Sequence, residues 1–349
     1  MENQKNGIDT LYKGFLEPLN FMKPQPKDLT YGRASIPYSP EEKVLREEPY
    51  ICTEHNLPFP TSDEPEGFVY YQAWSLPTAS KQRNTDIIYV HGLNEYGGRF
   101  SEFAIPILEQ GFRIIALDLP SFGRSSGLHA FFKNWLDLIE AVHCVVNHVK
   151  QTNENENKKR NLILYGCSMG GMVVASCAIK YPDTFDAFGL SAPLVYVEEE
   201  SRPSKFLETV ADVLNKTPLG RMPIAEANRG KNSSDPTVEE KFLADPLTYH
   251  GDLRVSTGLT LRDGIEWLQS NLGNITKPFL VQHGMNDRAT QVKGSRELFD
   301  KSQTPEDKKV ILLYEDCEHE MFRDPVAGKK VLSDAINWMV TTDERLCSS

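Results

Sequence analysis

The chain has 349 residues, 40% apolar and 25% charged, which suits one large globular domain, or a domain with a modest insertion, around a sizeable core. Its 38 basic and 49 acidic residues leave a formal net charge of −11, and no Lys/Arg-rich run is present, which excludes an electrostatic footprint for nucleic acid. No run approaches the roughly 18 consecutive apolar residues of a membrane span, and the start MENQKNGIDT has no apolar signal core, so the expected location is cytoplasmic.

Residues 1–45 are rich in Pro, Lys and Tyr, show no sustained period and read as an N-terminal extension. Strands are then expected at Phe68–Trp74, Ile87–Val90 and Phe112–Leu117. From Trp135 to Val149 apolar residues recur at 3-4-7 spacing, which predicts an amphipathic helix. After a polar linker come a strand at Leu162–Tyr165, a Gly-rich turn, a helix from Met169 and a strand near Ala187–Leu190. The alternation resumes after residue 258, with strands at Phe279–Gln282 and Val310–Leu313 and a last helix through Trp338. Strands alternating with helices specify an α/β fold, a mostly parallel sheet with helices on both faces. Residues 46–193 and 259–349 are the expected core, and 194–258, where the rhythm breaks, an inserted helical cap. Six scattered cysteines without CxxC spacing read as free thiols, and neither a metal-ligand cluster nor a dinucleotide fingerprint implies a cofactor.

Chemistry concentrates after the fourth strand. Gly166-Cys-Ser168-Met-Gly170 matches G-x-S-x-G between a buried strand and a helix, the setting of a nucleophile elbow. A serine hydroxyl needs a base, and the base needs an orienting acid. In this arrangement the acid follows the serine and the histidine comes last. Of His250, His283 and His319, only His319 lies just beyond the last expected strand; His283 precedes the acid and His250 falls in the cap. Asp287, in the turn after Phe279–Gln282, is the expected acid, with Asp316 and Asp324 as nearer neighbours of His319 in sequence. Two backbone N–H groups would stabilise an oxyanion, those of Met169 and of Leu93 in His91-Gly92-Leu93.

At these residues the chain resembles the monoglyceride lipases of the α/β-hydrolase superfamily. The resemblance rests on His91-Gly-Leu-Asn-Glu-Tyr-Gly-Gly-Arg99-Phe, Gly166-Cys-Ser-Met-Gly-Gly171, His283-Gly-Met-Asn-Asp287 and Tyr314 through His319, and runs over about residues 50–342. The Asp118-Leu-Pro-Ser-Phe-Gly-Arg-Ser125 loop departs from the family's usual pattern at Pro120 and Phe122, and the N-terminal extension has no counterpart in compact members. What the resemblance implies is an ester hydrolase of single-chain lipids, releasing fatty acid and glycerol from monoacylglycerol. Lysophospholipase, lactonase and small-ester hydrolase are alternatives on the same scaffold, as is a non-catalytic binding protein. A long acyl chain requires apolar wall beneath the cap. Phe206, Val210, Val213 and Leu214, at i, i+4, i+7 and i+8, give one cap helix an apolar face that lines such a tunnel, rests on a membrane or lipid surface, or packs on the core.

Overall fold

The computed structural model describes residues 28–348 except 156–158, 199–204 and 226–229. Ten strands are present among them: β1 (Ile51–Pro58), β2 (Phe68–Ser75), β3 (Thr85–Val90), β4 (Arg113–Asp118), β5 (Asn161–Cys167), β6 (Ala187–Ser191), β7 (Pro223–Ala225), β8 (Leu253–Arg254), β9 (Phe279–Gly284) and β10 (Lys309–Tyr314). Eight form one sheet in the order β1-β2-β4-β3-β5-β6-β9-β10. β2 runs antiparallel to both of its neighbours, and all pairings from β4 to β10 are parallel.

Successive residues of the central strands serve opposite faces, as period 2 requires. Ile88, Leu164 and Val281 join a core with α3 (Trp135–Asn155), α4 (Met169–Lys180) and α7 (Val255–Asn271). Their neighbours Ile87, Ile163 and Leu280 pack against α2 (Ser101–Glu109) and α8 (Gly328–Ser348) on the other face. Apolar demand on both faces is why these strands read as continuous apolar runs. The seven expected strands and the helix at Trp135 are all found.

Three features differ from expectation. β1 went unrecognised because it is a polar edge strand, with Glu54, His55 and Asn56 at its centre and only Leu57 fully buried. Residues 28–45, expected to belong to an extension, are tied into the fold. Arg33 and Glu42 are buried, and α1 (Pro40–Val44) is closed by a capping box between Ser39 and Glu42. Finally, Leu194 and Val195 of the expected cap belong to the main core. Among the described residues, the rest of the interval holds α5 (Lys205–Asn215), α6 (Pro236–Ala244) and a short antiparallel pairing of β7 with β8 across α6. No described helix is long and apolar enough to cross a membrane. All six cysteines are free.

Candidate active site

Ser168 stands between the end of β5 and the start of α4 with φ 53° and ψ −116°, a conformation non-glycine residues adopt only under constraint. The constraint is visible. Its N–H donates to the Ser191 carbonyl at 2.9 Å, and its carbonyl accepts from Met172 N at 3.1 Å and Leu194 N at 2.9 Å. The turn also demands its glycines: a Cβ on Gly166 would sit 2.3 Å from the Gly170 oxygen, and one on Gly170 2.1 Å from the Val90 oxygen. Ser168 is thereby raised, half-buried, at the C-terminal edge of the sheet. The N–H groups of Met169 and Leu93 donate to no other described residue, so both are free to receive charge.

Asp287 and His319 meet directly. His319 Nδ1 donates to Asp287 Oδ2 at 2.7 Å, in a buried setting. Burial alone would push the imidazole pKa down; the Asp287 carboxylate overcomes it and holds His319 above its ordinary value. Burial would likewise raise the Asp287 carboxyl, and the His319 and His283 imidazoles hold it well below the usual carboxylate range. With the Nδ1 proton committed to Asp287, Nε2 is the basic nitrogen. Neither it nor the Ser168 hydroxyl has a hydrogen-bond partner among the described residues, and such a bond often forms only once substrate is bound. Asp316 is exposed, and Asp324 caps a turn through Val326 N and Ala327 N, so neither is the partner of His319.

Three residues that sequence reasoning left aside complete this pair. Thr290 donates its N–H to Asp287 Oδ1 at 2.8 Å and its hydroxyl to Oδ2 at 2.9 Å. His283 Nε2 lies 3.1 Å from Asp287 Oδ2, while its Nδ1 pairs with Ser295 Oγ at 2.7 Å. Beyond His319 lies a charged cluster, buried except at Glu102. Glu95 pairs with Arg99, and Arg323 pairs with Glu320 at 2.6 Å and Glu102 at 3.0 Å. Burial pushes the Glu95 carboxyl up. It works the same way on Glu320, where the Arg323 and Arg99 cations reverse the shift.

The expected substrate residues fare differently. Val210 is 38% exposed and Val213 61%, so these two do not line a closed tunnel; they face outward because the adjacent side of α5, with Ala211 and Leu214, is the one that packs on Val255 and Leu259. The Phe206 side chain lies outside the described residues.

Residues 81–326, more than half of the chain, match the hydrolase family described as serine aminopeptidase, S33. The chain belongs to this family. Among the relatives of this S33-family hydrolase, a monoacylglycerol lipase of Mycolicibacterium smegmatis is 30% identical over 273 residues, covering 78% of this chain and 93% of that protein. The human monoglyceride lipase is 26% identical over 302 residues, covering 86% and 95%. Among solved structures, a monoacylglycerol lipase of Paleococcus ferrophilus superposes with a TM-score of 0.67 at 22% identity, covering 78% of this chain and 99% of its own. That likeness supports the α/β-hydrolase fold. The matches to these two lipases take in nearly the whole of each, 93% and 95%.

Proposed function

We propose that this chain hydrolyses the ester of monoacylglycerol to fatty acid and glycerol through an acyl-enzyme on Ser168. The observations that carry the reading are the buried 2.7 Å bond between His319 and Asp287 and the strained elbow of Ser168. His319 Nε2 takes the Ser168 proton as Oγ attacks the ester carbonyl carbon. The carbonyl oxygen becomes an oxyanion, met by the N–H groups of Leu93 and Met169 and by the positive end of α4. His319 then passes its proton to the glycerol oxygen, which leaves. Water, deprotonated by the same nitrogen, attacks the acyl carbon, and collapse of the second tetrahedral intermediate returns Ser168 and frees the fatty acid.

The family description names a peptidase, but the mycobacterial and human relatives, each matching along most of the chain, are named for lipase activity, and the ester is therefore the favoured bond. The expected cap, less Leu194 and Val195, which join the main core, covers the acyl chain through α5 and α6. The outward Val210 and Val213 favour contact with a lipid surface, from which a water-insoluble substrate is drawn. A hydrolysis panel of monoacylglycerols, lysophospholipids, lactones and p-nitrophenyl esters tests this: the highest kcat/KM is expected on medium- or long-chain monoacylglycerol. Preference for lysophospholipid, lactone or acetate ester would overturn the substrate while leaving the serine chemistry.

A further inference from the structure

Arg33 precedes the stretch that matches the hydrolase family, yet it is only 4% exposed. Its guanidinium enters the loop from Asp118 to Gly127. Nε donates to the Gly123 carbonyl at 2.7 Å, and Nη2 to the carbonyls of Ser125 at 2.7 Å and Gly127 at 2.9 Å. The strap around it is bonded to the same loop on either side: Gly127 N donates to Leu29 O at 2.8 Å, and Arg124 Nη2 to Ile36 O at 2.9 Å. Three carbonyls turned inward in one short loop need a multi-donor fork at their centre, and a planar guanidinium supplies it.

The loop leads toward the catalytic side. Leu119 N donates to His91 Nε2 at 3.0 Å, which makes Nε2 an acceptor and leaves the proton on Nδ1. Nδ1 donates to the Gly92 carbonyl at 2.7 Å. Burial pushes His91 down to about 4, so the ring stays neutral and this pairing of donor and acceptor persists. In a trans peptide the carbonyl of one residue and the N–H of the next lie in one plane and point oppositely. Fixing the Gly92 oxygen therefore fixes the direction of the Leu93 N–H. A Cβ on Gly92 would meet the Ser168 Cβ at 3.4 Å, which puts this peptide against the nucleophile.

We propose that Arg33 is a positioning residue for acyl transfer: it closes the Asp118–Gly127 loop, the loop holds His91, and His91 aims the Leu93 N–H at the oxyanion. The proposal rests on Leu93 being an oxyanion donor, as in the function proposed above. The full-length chain is compared with Arg33→Ala, Arg33→Lys and Ser168→Ala. Titration to completion with a fluorophosphonate counts competent sites, so misfolded protein drops out of kcat. On p-nitrophenyl butyrate, Arg33→Ala is expected to lose about tenfold or more in kcat per site, since removing an oxyanion donor outright costs about 100- to 1,000-fold. KM should change less than about twofold. Affinity for a trifluoromethyl ketone, whose tetrahedral adduct on serine carries the oxyanion, should fall by the same factor as kcat/KM. Arg33→Lys, with a cation but no planar fork, should recover part of the loss; if Arg33→Ala cannot be titrated, Arg33→Lys carries the same readouts. Wild-type kcat per site, or a loss confined to KM with ketone affinity unchanged, overturns the role of Arg33. Activity surviving in Ser168→Ala overturns instead the serine chemistry beneath it.

Discussion

Thr290 holds both oxygens of the Asp287 carboxylate, Oδ1 through its N–H at 2.8 Å and Oδ2 through its hydroxyl at 2.9 Å. With Ala289 N adding 2.7 Å on Oδ1, the carboxylate is fixed before it meets His319. Orientation of the acid is thus built into the turn after β9 rather than left to the histidine.

Asp287→Asn should therefore lower kcat by about 10⁴, because an amide fails to hold the Nδ1–H tautomer of His319. Thr290→Val removes one hydrogen bond to a charged acceptor, worth about 1.5–3 kcal/mol, and should cost roughly tenfold or more. Asp316→Asn, at an exposed position, should leave kcat unchanged. A reversal between Asp287→Asn and Asp316→Asn, read by steady-state kinetics, would show that the acid is misassigned.

The pH profile carries a sign. Burial pushes His319 down, but Asp287 more than offsets it, with Glu320 and Glu95 adding to the rise. The base works only when neutral, so the acid limb of kcat/KM should have its midpoint above the roughly 6.5 of an unperturbed imidazole. Glu95→Gln removes negative charge and should move that limb to lower pH. A limb at or below 6.5 in the native protein, or an upward move in Glu95→Gln, contradicts this electrostatic picture.

Outward exposure makes Val213→Asp a test of the cap. At 61% exposed the side chain can carry charge without unfolding α5. Turnover of long-chain monoacylglycerol in vesicles or emulsion should drop, since lost apolar contact costs about 25 cal/mol per Å² and the carboxylate opposes insertion. Hydrolysis of soluble p-nitrophenyl butyrate should not change. Equal loss on both substrates would place Val213 in the catalytic path instead of on a lipid-facing surface.

Stability and catalysis separate at Asp86. Fully buried, it accepts from Arg113 Nε at 3.0 Å and Nη2 at 2.6 Å, from Arg160 Nε at 2.7 Å and from Asn153 Nδ2 at 3.1 Å. Asp86→Asn leaves two cations facing a neutral amide and should cost about 3–5 kcal/mol in denaturant unfolding. Asp86 belongs to the start of β3, away from the C-terminal edge of the sheet, so kcat of the folded fraction should hold. A loss under 1 kcal/mol would show that water or side-chain movement compensates the cations.

Much of this was legible in the sequence because it rests on local pattern. The apolar runs of β3, β5 and β9 announce strands buried on both faces. Gly166 and Gly170 announce a turn with no room for a Cβ, and His319 can be located by its place after β10. What was not legible depends on approach between distant segments. Arg33 reaches a loop some 90 residues away, and in sequence it is one cation in a polar stretch. Ser295 and His283 pair through the fold, 12 residues apart, and no period marks them. Thr290 was within reach, since a hydroxyl residue three positions after an acid in a turn commonly satisfies its carboxylate. The outward turn of Val213 could not be read, because the helical period of α5 shows that an apolar face exists and not which neighbour covers it.

The central claim is that Ser168 is the nucleophile, and the most direct measurement is kcat of purified Ser168→Ala beside the native chain, with circular dichroism to verify the fold. A loss of about 10⁶ in kcat, together with loss of all fluorophosphonate labelling, is the expected result. Near-native turnover by a folded Ser168→Ala protein would contradict the account.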